Sequence, residues 1–293
     1  MKIAYSPCPN DTFVFHAWAH GLIPGAPELG VTYADIDITN NWAASLQGPE
    51  VMKISYAALP WVLSDYELLP CGGALGRACG PLVLMKGVEP GSEAAFSAFD
   101  GAALTGRRVA VPSERSTAYL LFRLWAAKHV PGGVSDIVVM PFHEIMPAVR
   151  DGAIDAGLVI HEARFTYPSY GLAKLVDLGA WWEDDTGLPI PLGAIIARRG
   201  MDAEAISSWI RSSVAYAWDN PEASAAYVLE HAQEMSPDVA KSHIELYVNE
   251  FTANLGEDGF AAVESLLGRA AVEGLVPAFD LSLLRSNERS HTR

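Results

Sequence analysis

Cysteine is scarce in this chain: Cys8, Cys71 and Cys79 are the three among 293 residues. A small odd number implies no disulfide framework and fits a reducing compartment. Cys71 and Cys79 have no CxxC partner, and His16 and His20 lack the glutamate of an HExxH motif. No metal is expected. GxGxxG and GxxxxGK[ST] are both missing, which argues against a nucleotide-phosphate site. No apolar run approaches the roughly 18 residues of a membrane span. The opening MKIAYSPCPNDTF has one lysine and no apolar stretch of signal-peptide length, so a cytoplasmic protein is expected. Positive charge is also short: 20 Lys and Arg face 35 Asp and Glu, for a net −15. Such a surface repels phosphate backbones, so nucleic acid is not an expected partner. An anionic small molecule stays open, because a pocket can be locally positive. The chain is read as a monomer or weak homodimer.

What is present is ample core material: 50% of residues are apolar and 19% charged, the reverse of a disordered composition. Short apolar runs alternate with helical patterns. Residues 2–5 read as a strand and 13–20 as a helix capped by Asn10, Asp11 and Thr12. VTYADIDI, residues 31–38, alternates as a half-buried strand. A short helix over 40–46, a strand over 51–55, a helix over 56–66 and a strand over 81–86 follow. Gly72 to Arg77 reads as a flexible loop. Residues 87–101, rich in small and acidic residues, read as a crossing to a second lobe. That lobe shows strands at 107–112, 136–140, 156–160 and 172–178, with helices at 116–128 and 143–151. A second crossing at 187–193 returns to a strand at 194–197. Helices then fill 203–218, 221–233, 237–251 and 257–273, and the tail 285–293 reads as disordered. The β-α-β-α order argues for α/β lobes with mixed, mostly parallel sheets flanked by helices. One lobe takes residues 1–88 and 194–293, the other 89–193. A ligand cleft is expected between them, where strand ends and helix N-termini face it.

Four strand-to-helix junctions carry candidate chemistry. Ser6, Cys8, Asn10 and Asp11 form a proline-stiffened turn whose helix start can hold an anion, or can serve as a rigid turn alone. Lys53-Ile54-Ser55 ends a strand. Lys53 there suits a substrate carboxylate, helped by Ser55, and its strand-end position favours that over the alternative of a surface lysine beside a capping serine. Ser116 and Thr117 open a long helix, as an oxyanion site or a simple N-cap. His161 ends a fully apolar strand, where an imidazole can act as general base and Glu162 can orient it. A structural histidine is the alternative there. Arg77 can add positive charge to a pocket wall. The pair His16 and His20 reads as a helix face near a C-terminus, which favours protonated imidazole. His143-Glu144 reads as cap chemistry, and Trp181-Trp182 as core.

SPCPNDTF (6–13), KISYA (53–57), GGALGRACGP (72–81), TAY (117–119), IHEARFTY (160–167) and DLGAWWEDDTGLPIPLG (177–193) occur in one order along the chain. In these stretches the sequence resembles the 1,4-dihydroxy-6-naphthoate synthase family of the futalosine route to menaquinone. The resemblance covers most of the first 195 residues. It implies a two-lobed, type II periplasmic-binding-protein-like fold used as an enzyme. It also implies a carbon–carbon lyase acting on cyclic dehypoxanthinyl futalosine, with no cofactor. His161 then matches the proton acceptor, and Lys53, Ile54, Ser55, Ser116 and Thr117 match substrate-contacting positions. Ser116 stands where a threonine is usual, keeping the hydroxyl and losing the methyl. Rival readings are the sister enzyme chorismate dehydratase, a non-catalytic solute-binding protein, and a ligand-sensing domain. The last should bring a helix-turn-helix with a basic patch, and none is evident.

Overall fold

The computed structural model describes residues 1–87, 100–161, 163–232 and 236–285. Most of the first predicted crossing, Glu162 and nearly all of the C-terminal tail lie outside the described residues. The chain divides into two compact units. One is built from Met1–Gly76 and Leu188–Arg293, the other from Arg77–Gly187.

The first unit holds a five-stranded sheet in the order β2-β1-β3-β10-β4. Its strands are β1 (Lys2–Tyr5), β2 (Gly30–Tyr33), β3 (Val51–Ser55), β4 (Tyr66–Gly76) and β10 (Ile190–Arg198). β1 runs parallel to β2 and β3, while β10 runs antiparallel to β3 and β4. The second unit repeats the plan as β7-β6-β8-β5-β9. Its strands are β5 (Leu82–Lys86), β6 (Arg108–Val111), β7 (Asp136–Val139), β8 (Ala156–Val159) and β9 (Leu172–Asp177). β6 is parallel to β7 and β8, and β5 is antiparallel to β8 and β9.

Helices cover these sheets. In the first unit they are α1 (Pro9–Ala19), α2 (Ile36–Ser45), α7 (Ala203–Asp219), α8 (Ala225–His231), α9 (Pro237–Tyr247), α10 (Glu250–Ala253) and α11 (Gly256–Val272). The second has α3 (Thr117–His129), α4 (Phe142–Arg150), α5 (Ala163–Thr166) and α6 (Leu178–Thr186). Ile3, Tyr5, Phe15, Trp18, Ile195 and Ile210 pack as one core. Leu82, Leu84, Ile145, Val149, Val159 and Leu172 pack as another.

Several expectations are corrected, each for a physical reason. α1 begins at Pro9, with Cys8 as N-cap, and not at Phe13. Proline at a first helical position forfeits no hydrogen bond and arrives with a helical φ. Asn10, Asp11 and Thr12 therefore form the first turn and do not precede it. The 31–38 alternation yields a strand only to Tyr33, because Asp35 turns the chain into α2. Asn40 is consequently inside a helix and not at its start. The predicted 56–66 helix is a 3-10 turn over Tyr56–Trp61, and the predicted Gly72–Arg77 loop is the end of β4. β4 is an edge strand, where Pro70 and register shifts are tolerated. β5, expected in the first sheet, pairs with β8 and β9. His16 is buried, and burial followed by the neighbouring His20 pushes its pKa down. Trp182 is fully buried, as core should be. His143 and Glu144 face each other at 3.8 Å on the surface, and neither caps α4.

Candidate active site

Parallel neighbours place their C-terminal ends on one edge of a sheet, and chain loops gather there. In the first unit β1 and β3 are such neighbours, so the Ser6–Asp11 turn and Ser55 share an edge. In the second, β6 and β8 are neighbours, and they deliver Ser116 with Thr117 and His161 in the same way.

The first cluster is built around a buried ion pair. Lys53 Nζ donates to Asp11 Oδ1, with side chains 5% and 4% exposed. Asn10 Nδ2 donates to the same oxygen at 2.9 Å. Asp11 sits in the first turn of α1, where the helix N-terminus favours a carboxylate. Gly193 makes room for the lysine stem, since a Cβ there would lie 2.8 Å from Lys53 Cε. The cation that the sequence offers for a substrate carboxylate is thus already charge-matched inside the protein. Ser6 Oγ and Cys8 Sγ lie 2.9 Å apart, both buried. Along β3 the side chains of Lys53 and Ser55 share one face, and Ile54 takes the opposite one, fully buried. Ile54 can therefore meet a ligand on that face only through its main chain.

Asn40 is a residue that the sequence reading missed. Its Oδ1 accepts from Ser55 N at 2.8 Å, and its Nδ2 donates to Ser55 Oγ at 3.0 Å. The pairing of β3 with β1 ends at Met52, so Asn40 supplies the acceptor that β1 no longer gives. An asparagine inside a short amphipathic helix carries no sequence signal for this. Only the approach of α2 to the end of β3 reveals it.

In the second unit, Ser116 is the N-cap of α3. Its Oγ accepts from Tyr119 N at 3.1 Å and donates to Ser113 O at 2.9 Å. That proton is spent within the chain, so an anion here would meet the backbone N–H groups of the first turn. Replacing Ser116 with alanine should cost about 1 kcal/mol of stability, measured by urea unfolding; an unchanged midpoint would show the cap to be dispensable. Thr117 follows it, buried. Arg77, half-exposed at 51%, lies 3.6 Å from Glu183 and donates to Gly187 O at 3.2 Å.

His161 follows β8 with φ +52°, in the left-handed region that few non-glycine residues occupy. Such strain, roughly 1–3 kcal/mol, persists only when the surroundings hold it. The ring of Phe142 stands perpendicular to the imidazole, with centroids 5.6 Å apart. Three residues on, Arg164 clamps the segment: its guanidinium donates to Gly80 O at 2.7 Å, to Ala78 O at 2.9 Å and to Asp177 Oδ2. Asp177 in turn caps α6 through Gly179 N and Ala180 N. IHEARFTY and DLGAWWEDD are therefore two halves of one clamp, a pairing that sequence separation conceals. Gly80 and Gly179 cross beneath it so closely that a Cβ on Gly80 would lie 2.0 Å from Gly179 N. Backbone cannot yield as a side chain can. Gly80→Ala should lose about 3 kcal/mol, read by denaturant unfolding; a loss under about 1 kcal/mol would show the crossing to be slack.

Cys71 and Cys79 are buried, and burial pushes their thiols up to about 11 and about 12. Neither is poised as a thiolate nucleophile. Among the described residues no helix is long and apolar enough to cross a membrane, and no group of three or more His, Cys, Asp or Glu can hold a metal ion.

The two sheets, each with three parallel strands and an antiparallel pair, recur in solved structures. A protein from Archaeoglobus fulgidus superposes with TM-score 0.83 at 33% identity, over 94% of this chain and 98% of that one. The periplasmic aliphatic sulphonate binding protein of Escherichia coli superposes with TM-score 0.68 at 14% identity, over 97% and 90%. The fold defines the class: an α/β protein of the periplasmic-binding-protein-like type. Within that class the chain belongs to the menaquinone biosynthesis family, which it matches over residues 1–272. A Streptomyces coelicolor relative named 1,4-dihydroxy-6-naphthoate synthase is 67% identical over 281 residues, or 95% of each chain. A Thermus thermophilus relative of the same name is 44% identical over 278 residues, or 94% of this chain and 95% of that one.

Proposed function

We propose that this chain is a 1,4-dihydroxy-6-naphthoate synthase: a cytoplasmic carbon–carbon lyase acting on cyclic dehypoxanthinyl futalosine in the futalosine route. His161 is the general base. Lys53, Ile54, Ser55, Ser116 and Thr117 contact the substrate, and Ser6, Asn10, Asp11 and Arg77 support their surroundings. The observation that carries the reading is His161 itself. It is an imidazole held in a left-handed conformation at the end of β8, on the strand next to the one that feeds the α3 N-terminus. An imidazole and the N-terminus of α3 on one edge of one sheet support the reading of a base acting beside an anion-holding helix start.

The chemistry asked of these groups is modest. His161 takes a proton from the substrate, the C–C bond to the sugar-derived part breaks, and its electron pair is drawn into the forming aromatic ring. Aromatisation supplies the driving force. The N–H groups at the start of α3 hold developing negative charge. The Lys53–Asp11 pair, neutral as a unit, adds no net charge.

Incubating the purified protein with cyclic dehypoxanthinyl futalosine, with liquid chromatography and mass detection, tests the proposal. The expected result is 1,4-dihydroxy-6-naphthoate with matching loss of substrate. Saturable binding without product would mark a solute-binding protein instead.

A further inference from the structure

We infer that Asn40 is a positioning residue that leaves Ser55 with an unspent hydroxyl proton, which an accepting oxygen of the substrate takes up. The inference rests on the proposed function for the identity of the substrate, and on the structure for the polarity of the contact.

A backbone N–H can only donate. Because Ser55 N points at one oxygen-or-nitrogen position of the Asn40 amide, that position must be Oδ1. The amide orientation is thereby settled, and the other position, 3.0 Å from Ser55 Oγ, is Nδ2. An amide NH₂ donates, so Ser55 Oγ accepts from Asn40 and its own proton must go elsewhere. Among the described residues nothing accepts it. Ser55 is 3% exposed and Asn40 is fully buried, so this donor is held away from bulk water. A buried donor with no protein acceptor is costly unless a bound group completes it. Ser116 gives the contrast within the same chain, since its proton already goes to Ser113 O. Both serines end at strand-to-helix junctions, yet only Ser55 has a proton to offer.

The isosteric variant Asn40→Asp separates this from a merely structural role. Its carboxylate still accepts from Ser55 N but has no proton to give. Ser55 would then turn its hydroxyl onto that carboxylate and offer the substrate only lone pairs. Ser55→Ala removes the donor outright. Affinity for cyclic dehypoxanthinyl futalosine, measured by calorimetry, should fall at least about tenfold in each. The double variant should be no weaker than Ser55→Ala. Simple charge repulsion would instead make the double variant weaker still. Wild-type affinity in Asn40→Asp, an additive double variant, or wild-type affinity in Ser55→Ala would each overturn the inference. Should Asn40→Asp fail to fold, Ser55→Ala alone decides.

A ligand-free arm keeps failure of the inference apart from failure of the proposed function. If the wild type binds none of this substrate, the proposed function falls, and a ¹³C NMR titration of the introduced carboxyl decides the local claim. That carboxyl should titrate about one unit lower with Ser55 present than with Ser55→Ala, because a free hydroxyl can turn and donate to it. The nearby charges of Lys53 and Asp11 are common to both variants and cancel. Equal titration would show that the proton is held elsewhere and would overturn the inference.

Discussion

His161→Asn is expected to lower kcat by roughly 100- to 10,000-fold, the usual worth of a positioned general base. Asparagine is the informative replacement. It tolerates the left-handed φ of +52° better than alanine does, so the backbone after β8 should hold while the imidazole is lost. The Arg164 clamp to Gly80, Ala78 and Asp177 is untouched by the change. KM should move little, because a group acting in the chemical step adds little to ground-state binding. Steady-state kinetics with a circular-dichroism check on folding reads this directly. A raised KM at unchanged kcat would make His161 a binding residue and return the base to some other group.

The second large effect concerns stability. Asp11→Asn should cost about 3–5 kcal/mol, the usual result of removing one partner from a buried ion pair. The shape is kept, and Asn10 still finds an acceptor, but the Lys53 ammonium is left buried without its counter-charge. Adding Lys53→Met to that variant should return most of the loss, since the orphaned charge is then gone and the stem still fills the space beside Gly193. Urea unfolding of the wild type, the two single variants and the double closes the cycle. A loss under about 1 kcal/mol for Asp11→Asn would show that water reaches the ammonium and that the pair is not a structural centre.

Much of this arrangement is legible in the sequence. Strand ends followed by polar, helix-starting residues marked Ser6–Asp11, Lys53–Ser55, Ser116–Thr117 and His161, because strand-to-helix junctions have a local signature in side-chain polarity. Misreadings arose where one local signal has two physical meanings. Pro70, Gly72 and Gly73 punctuate a loop in most contexts. Here they belong to an edge strand, with Gly73 required because a Cβ would lie 2.6 Å from Gly193 O. The placement of β5 in the second sheet was invisible for another reason. An apolar strand of five residues fits either sheet, and long-range pairing chooses. Asn40 with Ser55, Arg164 with Asp177 and Asp11 with Lys53 are contacts between elements far apart in sequence. The residue types were plain, but which would meet was not.

Single-turnover product formation, with protein in excess over cyclic dehypoxanthinyl futalosine, tests the central claim most directly, because it isolates the chemical step from binding and release. The wild type should convert the bound substrate to 1,4-dihydroxy-6-naphthoate. His161→Asn should bind it with similar affinity and convert it at least about 100-fold more slowly. Equal rates in the two proteins would contradict the assignment of the base, and binding without product in the wild type would contradict the enzyme itself.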